Sequence, residues 1–333
     1  MPGRRRRVTL VVATWIAAGI VAGCGSPSPS QPPAASSPTV VPTAAPGETA
    51  EPTLLLLATV DDVPALALVR SSVGSTALPL PDPSTMAVTA LGDGSLVALL
   101  ADGRAFLAAH GPAGLLAGGG WRAIDLHWSG ALPDGAIIFA ATASPDGTRL
   151  AAIARPPFAE SPSALVVVEP AAGRAEAVEL PNESLGASPA WLDRDQVAIV
   201  QRGHDARTLI AVVDLATEGV IDRIPFRALA LGTSGDGQTV IVLGDESRLL
   251  VGPTTDMLER RRAPDDGPDL APGDVVRGGV VLNRDGHRLA AVIEDAAGIS
   301  RIATFVRAGD AWEPGVRFAA PPGWSGGRIT WCP

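Results

Sequence analysis

The sequence predicts an all-β fold: a six-bladed β-propeller of four-stranded antiparallel blades, closed by pairing of its N- and C-terminal strands. Three observations carry that prediction. An Asp-Gly turn followed by an apolar strand recurs at intervals in the forties and low fifties. Short β-rich runs alternate with turn residues from Leu54 onward, with no long stretch of helical periodicity. The C-terminus also stops at the point of the unit where the chain at Leu54 takes it up.

The most legible copy of the unit is Ser144 to Ala154, SPDGTRLAAIA. Asp146-Gly147 supplies the turn, and Leu150-Ala151 opens the strand. The same register occurs at Asp93-Gly94, Asp236-Gly237 and Asp285-Gly286, and in degenerate form at Asp193, where Arg194 replaces the glycine. Successive copies are 53, 47, 43 and 49 residues apart. A period of that size with several strands per unit is the mark of propeller blades. The turn chemistry is mechanical: glycine accepts positive φ without steric cost, and the Asp side chain bonds backbone two residues on. These aspartates are therefore read as turn formers, and Arg194 predicts a different geometry for its turn.

Between turns each unit offers four strands. After Asp146 they are expected at 150–155, 164–169, 175–180 and 188–192; after Asp193, at 197–202, 208–215, 220–226 and 228–232. Four antiparallel strands per repeat favour a blade over a sandwich sheet. Arg260-Arg261-Arg262 and the loop APDDGPDLAPGD interrupt the fifth unit; its acids lack the ordered spacing of a calcium loop, and a solvated loop is expected. The segment from Leu54 to about Ala90 is counted as the first blade, giving six. Pairing of the strand ending Thr330-Trp331-Cys332 with the one beginning Leu54 would remove the exposed edges of an open ring.

The pattern S-P-D-G-x-x-L-A, with Trp two residues upstream of the turn in the Trp191 copy, resembles the TolB-type six-bladed propeller repeat, also found in the propeller part of LpqB-type lipoproteins and in WD-like repeats. The resemblance covers roughly Leu54 to Pro333 and implies the fold. TolB and LpqB-type proteins carry further N-terminal domains, so neither family's partner is carried over.

Ahead of the repeats, Arg4 to Arg7 form a positive n-region and Val8 to Gly23 an apolar run of 16 residues. That run is shorter than the ~20 residues of a membrane-spanning helix and has the anatomy of an export signal. It ends in Val21-Ala22-Gly23-Cys24, which resembles the lipobox of bacterial lipoproteins. The resemblance implies cleavage after Gly23 and a diacylglyceryl anchor on Cys24; two or more acyl chains hold firmly where one holds marginally. Residues 25–52 are dominated by Pro, Ser, Ala and Thr with no apolar face, which makes a semi-extended tether. The expected organisation is a signal peptide over 1–23, the lipidated Cys24 and tether over 24–53, and the propeller over 54–333. Arg6-Arg7-Val8-Thr9-Leu10 departs from a twin-arginine motif and leaves the export route open.

Charge narrows the function. Formal net charge is −9, and −13 beyond residue 23, since the leader carries four arginines and no acid. An acidic chain without a basic stripe argues against nucleic acid and against electrostatic attachment to anionic lipid. With Cys24 assigned to lipid, Cys332 remains a single thiol.

No catalytic constellation is visible. His110, His127, His204 and His287 lack zinc-ligand spacing, so neither metal nor cofactor is expected. There is no nucleophile elbow or phosphate-binding loop, and Gly118-Gly119-Gly120 lacks a strand-to-helix context. A sialidase-like site needs a Tyr nucleophile, and the chain contains no Tyr. Arg122, Asp125 and His127 are the densest polar group and alternate with apolar residues, which reads as a solvent face. The mature-chain tryptophans, 121, 128, 191, 312, 324 and 331, are expected mainly as seam filler.

The expected function follows: a lipid-anchored propeller on the extracytoplasmic side of the cell membrane, serving as a non-enzymatic scaffold for an envelope protein partner. The alternative is a small-solute- or sugar-binding propeller, or an enzyme using the central channel, which predicts acids, arginine and histidine converging at one mouth.

Overall fold

Alternation explains why the second strand of most sheets is apolar throughout its centre. Along β10 (Leu150–Arg155), Leu150, Ala152 and Ala154 face one neighbouring sheet, whereas Ala151 and Ile153 face the other. A strand buried on both faces reads as a continuous apolar run rather than an alternating one. The same division repeats around the molecule, and six apolar clusters fill six seams between adjacent sheets.

The computed structural model describes residues 53–332 except 61–62, 71–73, 157–161, 183, 186, 204–206, 263, 265 and 320–323. The first sheet contains β1 (Thr53–Val60), β2 (Val63–Arg70) and β3 (Gly74–Leu78). The second contains β4 (Thr85–Ala90), β5 (Leu96–Leu100), β6 (Ala105–Ala108) and β7 (Arg122–Ile124). The third adds to β10 the strands β8 (His127–Ser129), β9 (Ile137–Ala143), β11 (Ser163–Glu169) and β12 (Arg174–Leu180). The fourth runs β13 (Ala190–Trp191), β14 (Gln196–Arg202), β15 (Thr208–Asp214) and β16 (Gly219–Ile224). The fifth has three strands, β17 (Ala228–Thr233), β18 (Thr239–Gly244) and β19 (Leu249–Pro253). The sixth has β20 (Val275–Leu282), β21 (Arg288–Glu294), β22 (Ser300–Ala308) and β23 (Ala311–Ala319). The last strand, β24 (Trp324–Trp331), returns to the first sheet and pairs antiparallel with β1, Leu54 opposite Trp331.

The innermost strands β24, β4, β9, β13, β17 and β20 contact one another in that cyclic order, so the sheets close into a ring. This is a six-bladed propeller with the terminal-strand closure that the sequence predicts. Three details differ. Each Asp-Gly turn joins the first and second strands of one blade, so the unit cut from turn to turn spans three strands of one blade and the first of the next. The segment 85–90, counted with the first blade, therefore begins the second. Among the described residues the fifth blade has no fourth strand: after β19 the chain forms α2 (Thr254–Arg260), and the acidic loop follows the outer edge, Asp266 bridging to Val251 and Leu270 packing into the seam. That loop is solvated over Asp266, Asp269 and 271–273, and in addition it borders a sheet edge. The third blade gains a fifth strand, because β8 adds in parallel to the outer edge of β12 before the chain reaches the axis.

The turns repeat with small variations. Gly94, Gly147, Gly237 and Gly286 all have positive φ, between 69° and 82°. Their aspartates accept the backbone N–H two residues on, at 2.9 to 3.0 Å. Asp193 instead accepts from both Asp195 and Gln196, at 2.7 Å each, and Arg194 is not among the positive-φ residues. Neighbouring turns touch: a Cβ on Gly147 would lie 2.4 Å from the Gly92 backbone, and one on Gly237 2.6 Å from the Leu192 carbonyl. Among the described residues no helix is long and apolar enough to cross a membrane.

Candidate functional site: the axial channel

Six inner strands facing one axis leave a space that their side chains must fill or line. Here five of the six sheets carry a register shift between the inner strand and its neighbour. Such bulges insert a residue and re-aim side chains. The inserted positions include Met86 in β4, Leu229 in β17, Arg277 and Gly279 in β20, and Gly327 in β24, and all five line the channel. In β9 the inserted residue is Ala140, forced to a φ of 32°.

The channel encloses about 570 Å³. Leu57, Met86, Leu231, Leu243, Val276 and Val280 give it an apolar wall, to which Thr59, Thr85 and Ser188 add hydroxyls. Two arginines reach it, and the described lining contains no carboxylate and no histidine. Arg277 is held by Glu294, its Nε and Nη2 donating at 3.1 and 3.2 Å. Arg328, on β24, donates from Nη1 to the Met86 carbonyl and stands over the Phe139 ring, 5.8 Å from its centroid. Arg155 approaches the same ring at 5.6 Å. Burial pushes the Arg328 guanidinium below the usual arginine range, because desolvation disfavours the charged form.

The channel ends at two unlike rims. One carries the Asp-Gly turns, α1 (Gly111–Leu116) and the start of β1, so Thr53 lies on this rim. The other carries the connections between blades, among them 125–136, 181–189 and 225–227. Leu185, Ala187, Ser188 and Leu229 bring this second rim to the channel mouth.

The residues singled out from sequence fall elsewhere. Arg122, Asp125 and His127 are exposed on β7, β8 and the link between them, away from the axis. His110 and His287 are exposed at separate turns, and His204 lies outside the described residues. Among the described residues no group of three or more His, Cys, Asp or Glu is placed to hold a metal. Asp93 is held below the usual carboxylate range by the Ser95 hydroxyl and backbone N–H. For Asp146, burial raises the value, but bonds from the Ser144 and Thr148 hydroxyls and the Thr148 N–H outweigh it. Both carboxylates are spent on their own turns. Burial pushes the Cys332 thiol up to about 12, so at neutral pH it is not a thiolate. Val21, Ala22, Gly23 and Cys24 lie outside the described residues.

Sequence reasoning missed the channel arginines and the bulges that place them. The glycine pairs Gly278-Gly279 and Gly326-Gly327 inside strand-like runs were the available signal, since glycine within a strand marks a bulge or a close approach.

No family model and no curated protein matches the sequence. Among solved structures, a putative TolB from Agrobacterium tumefaciens superposes with a TM-score of 0.53 at 15% identity, over 85% of this chain and 99% of that one. TolB from Acinetobacter baumannii gives a TM-score of 0.44 at 12% identity, over 79% of this chain and 52% of that one. The β-propeller domain of Myceliophteria thermophila Cps50 (Swd1) gives 0.48 at 13%, over 80% and 83%. The first of these shows that the fold is a TolB-like six-bladed propeller.

Proposed function

We propose that this chain is a lipid-anchored, extracytoplasmic β-propeller that serves as a protein-interaction scaffold in the cell envelope. The observation that carries the reading is the contrast between the two rims. The turn rim carries the Asp-Gly turns, several of them packed on the blade before, together with α1 and Thr53, where the chain enters the ring. The opposite rim carries the inter-blade connections, which differ in length and composition from blade to blade, from the short 225–227 to the longer 181–189. Binding residues concentrate on loops set on a rigid scaffold, and the ring supplies the rigidity. The lipobox-like Val21-Ala22-Gly23-Cys24 and the Pro/Ser-rich tether support anchoring at the membrane. The turn aspartates are committed to their turns and Cys332 is a half-buried thiol whose pKa is raised, which favours binding over catalysis. Photo-cross-linking from each rim in intact cells tests the reading: adducts are expected from the loop rim.

A further inference from the structure

Among the described residues, the axial channel holds a cation, Arg328, without a counter-ion. A guanidinium presents five N–H donors, and the described residues offer Arg328 one hydrogen-bond acceptor, the Met86 carbonyl. The Phe139 ring covers one face of it, and no carboxylate among the described residues pairs with it. Arg328 is half-buried, and a charge drawn out of water is ordinarily paired, because an unpaired one loses hydration without compensation. The chain has 35 acids to 26 basic residues, and the described lining of the channel contains none of the acids. Arg277 shows the contrast, since Glu294 neutralises it at 3.1 Å.

We infer that the channel binds a small organic monocarboxylate with an apolar body, its carboxylate on Arg328 and its body against Met86, Leu231, Leu243 and Val280. The cavity of about 570 Å³ falls within the range of small-molecule pockets, roughly 300–1,000 Å³. A single guanidinium fork matches the two oxygens of one carboxylate. A phosphate dianion would bring a second charge that this cation does not neutralise, into a wall that is largely apolar. The bulges at Met86, Leu229 and Gly327 open the space, so the strand irregularities and the cation belong to one site. This inference is independent of the scaffold reading, which concerns the rim loops.

Calorimetric titration of the detergent-solubilised full chain with benzoate tests it, with benzamide as the uncharged isostere and inorganic phosphate as the apolar-free anion. Saturable one-to-one binding of benzoate is expected at about millimolar affinity or tighter. Benzamide, and benzoate with Arg328→Gln, should each bind at least about tenfold more weakly, the loss of one charge-assisted contact. Should Arg328→Gln fail to fold, Leu229→Trp provides a second reading: Leu229 is exposed at the mouth, and a larger side chain there should weaken benzoate without removing the cation. No saturable heat at about 10 mM benzoate, benzamide binding as well as benzoate, preference for phosphate, or full binding by both variants would each overturn the inference.

Discussion

The indole Nε1 of Trp191 donates to the Thr142 carbonyl at 3.1 Å, across the seam between the fourth and third blades. Thr142 returns a bond from its hydroxyl to the Pro189 carbonyl at 2.9 Å. Trp331 makes the corresponding contact to Val281 at 3.4 Å, where the terminal strand closes the first blade against the sixth. Thr142 and Val281 each stand four residues before an Asp-Gly turn, so the two seams are built alike. The upstream Trp of the repeat thus stitches neighbouring inner strands. Trp191 is fully buried with Arg149 over its ring at 5.2 Å, whereas Trp331 is only partly covered. Trp191→Phe should cost about 1–3 kcal/mol and Trp331→Phe less, since the first removes a fully buried indole and the donor of a part-buried carbonyl. Urea unfolding with unchanged m-value measures both.

Glycines in equivalent turns should differ in cost. A Cβ on Gly94 meets nothing within 4 Å, but its φ of +82° carries the left-handed penalty, so Gly94→Ala is expected to cost about 1 kcal/mol. In Gly147→Ala the same penalty is joined by a Cβ placed 2.4 Å from the Gly92 backbone of the preceding blade. The sum is expected at about 2–4 kcal/mol. Equal melting temperatures for the two variants would contradict the packing of turn upon turn.

Acid should loosen the turn rim. Asp93 and Asp146 titrate below their ordinary value in the folded chain, for the hydrogen-bonding reasons given above. A depressed folded pKa contributes stability that is fully present above the unfolded value, about 3.9, and is lost as pH falls through the folded value. Denaturant midpoints should therefore fall steeply below about pH 4. The double variant Asp93→Asn, Asp146→Asn should begin less stable at neutral pH and lose less on acidification. A parallel decline in variant and parent would show that these carboxylates do not govern the acid limb.

Anchoring is tested at one sulfur. The full chain should incorporate labelled palmitate and fractionate with membranes, whereas Cys24→Ala should take up no label. Undiminished labelling of the variant would remove the lipid anchor from the proposed function.

Much of the ring was legible because turn chemistry and burial leave local marks. Asp146-Gly147 and its copies display their turn in two letters, and strands such as β10 and β14 are apolar on both faces. The site was less legible because it depends on which strand lies innermost. Arg328 sits in Gly-Arg-Ile-Thr-Trp, a run that looks like any half-exposed strand until β24 pairs with β1 and brings the residue to the axis. Arg122, Asp125 and His127 looked denser on paper, yet they lie on and between the outer strands β7 and β8. The three-stranded fifth blade seen among the described residues had a similar cause: α2 follows β19 with a local helical signal that a strand count does not register.

The scaffold reading rests most directly on where a partner touches the ring. A photoreactive residue placed in intact cells at Arg227 or Asp269 reports the loop rim, and one at Thr148 or Gln238 reports the turn rim; all four side chains are exposed. The account predicts one discrete adduct of the same mass from Arg227 and Asp269 and none from Thr148 or Gln238. Adducts from the turn rim alone, or no adduct from any of the four positions, would contradict it.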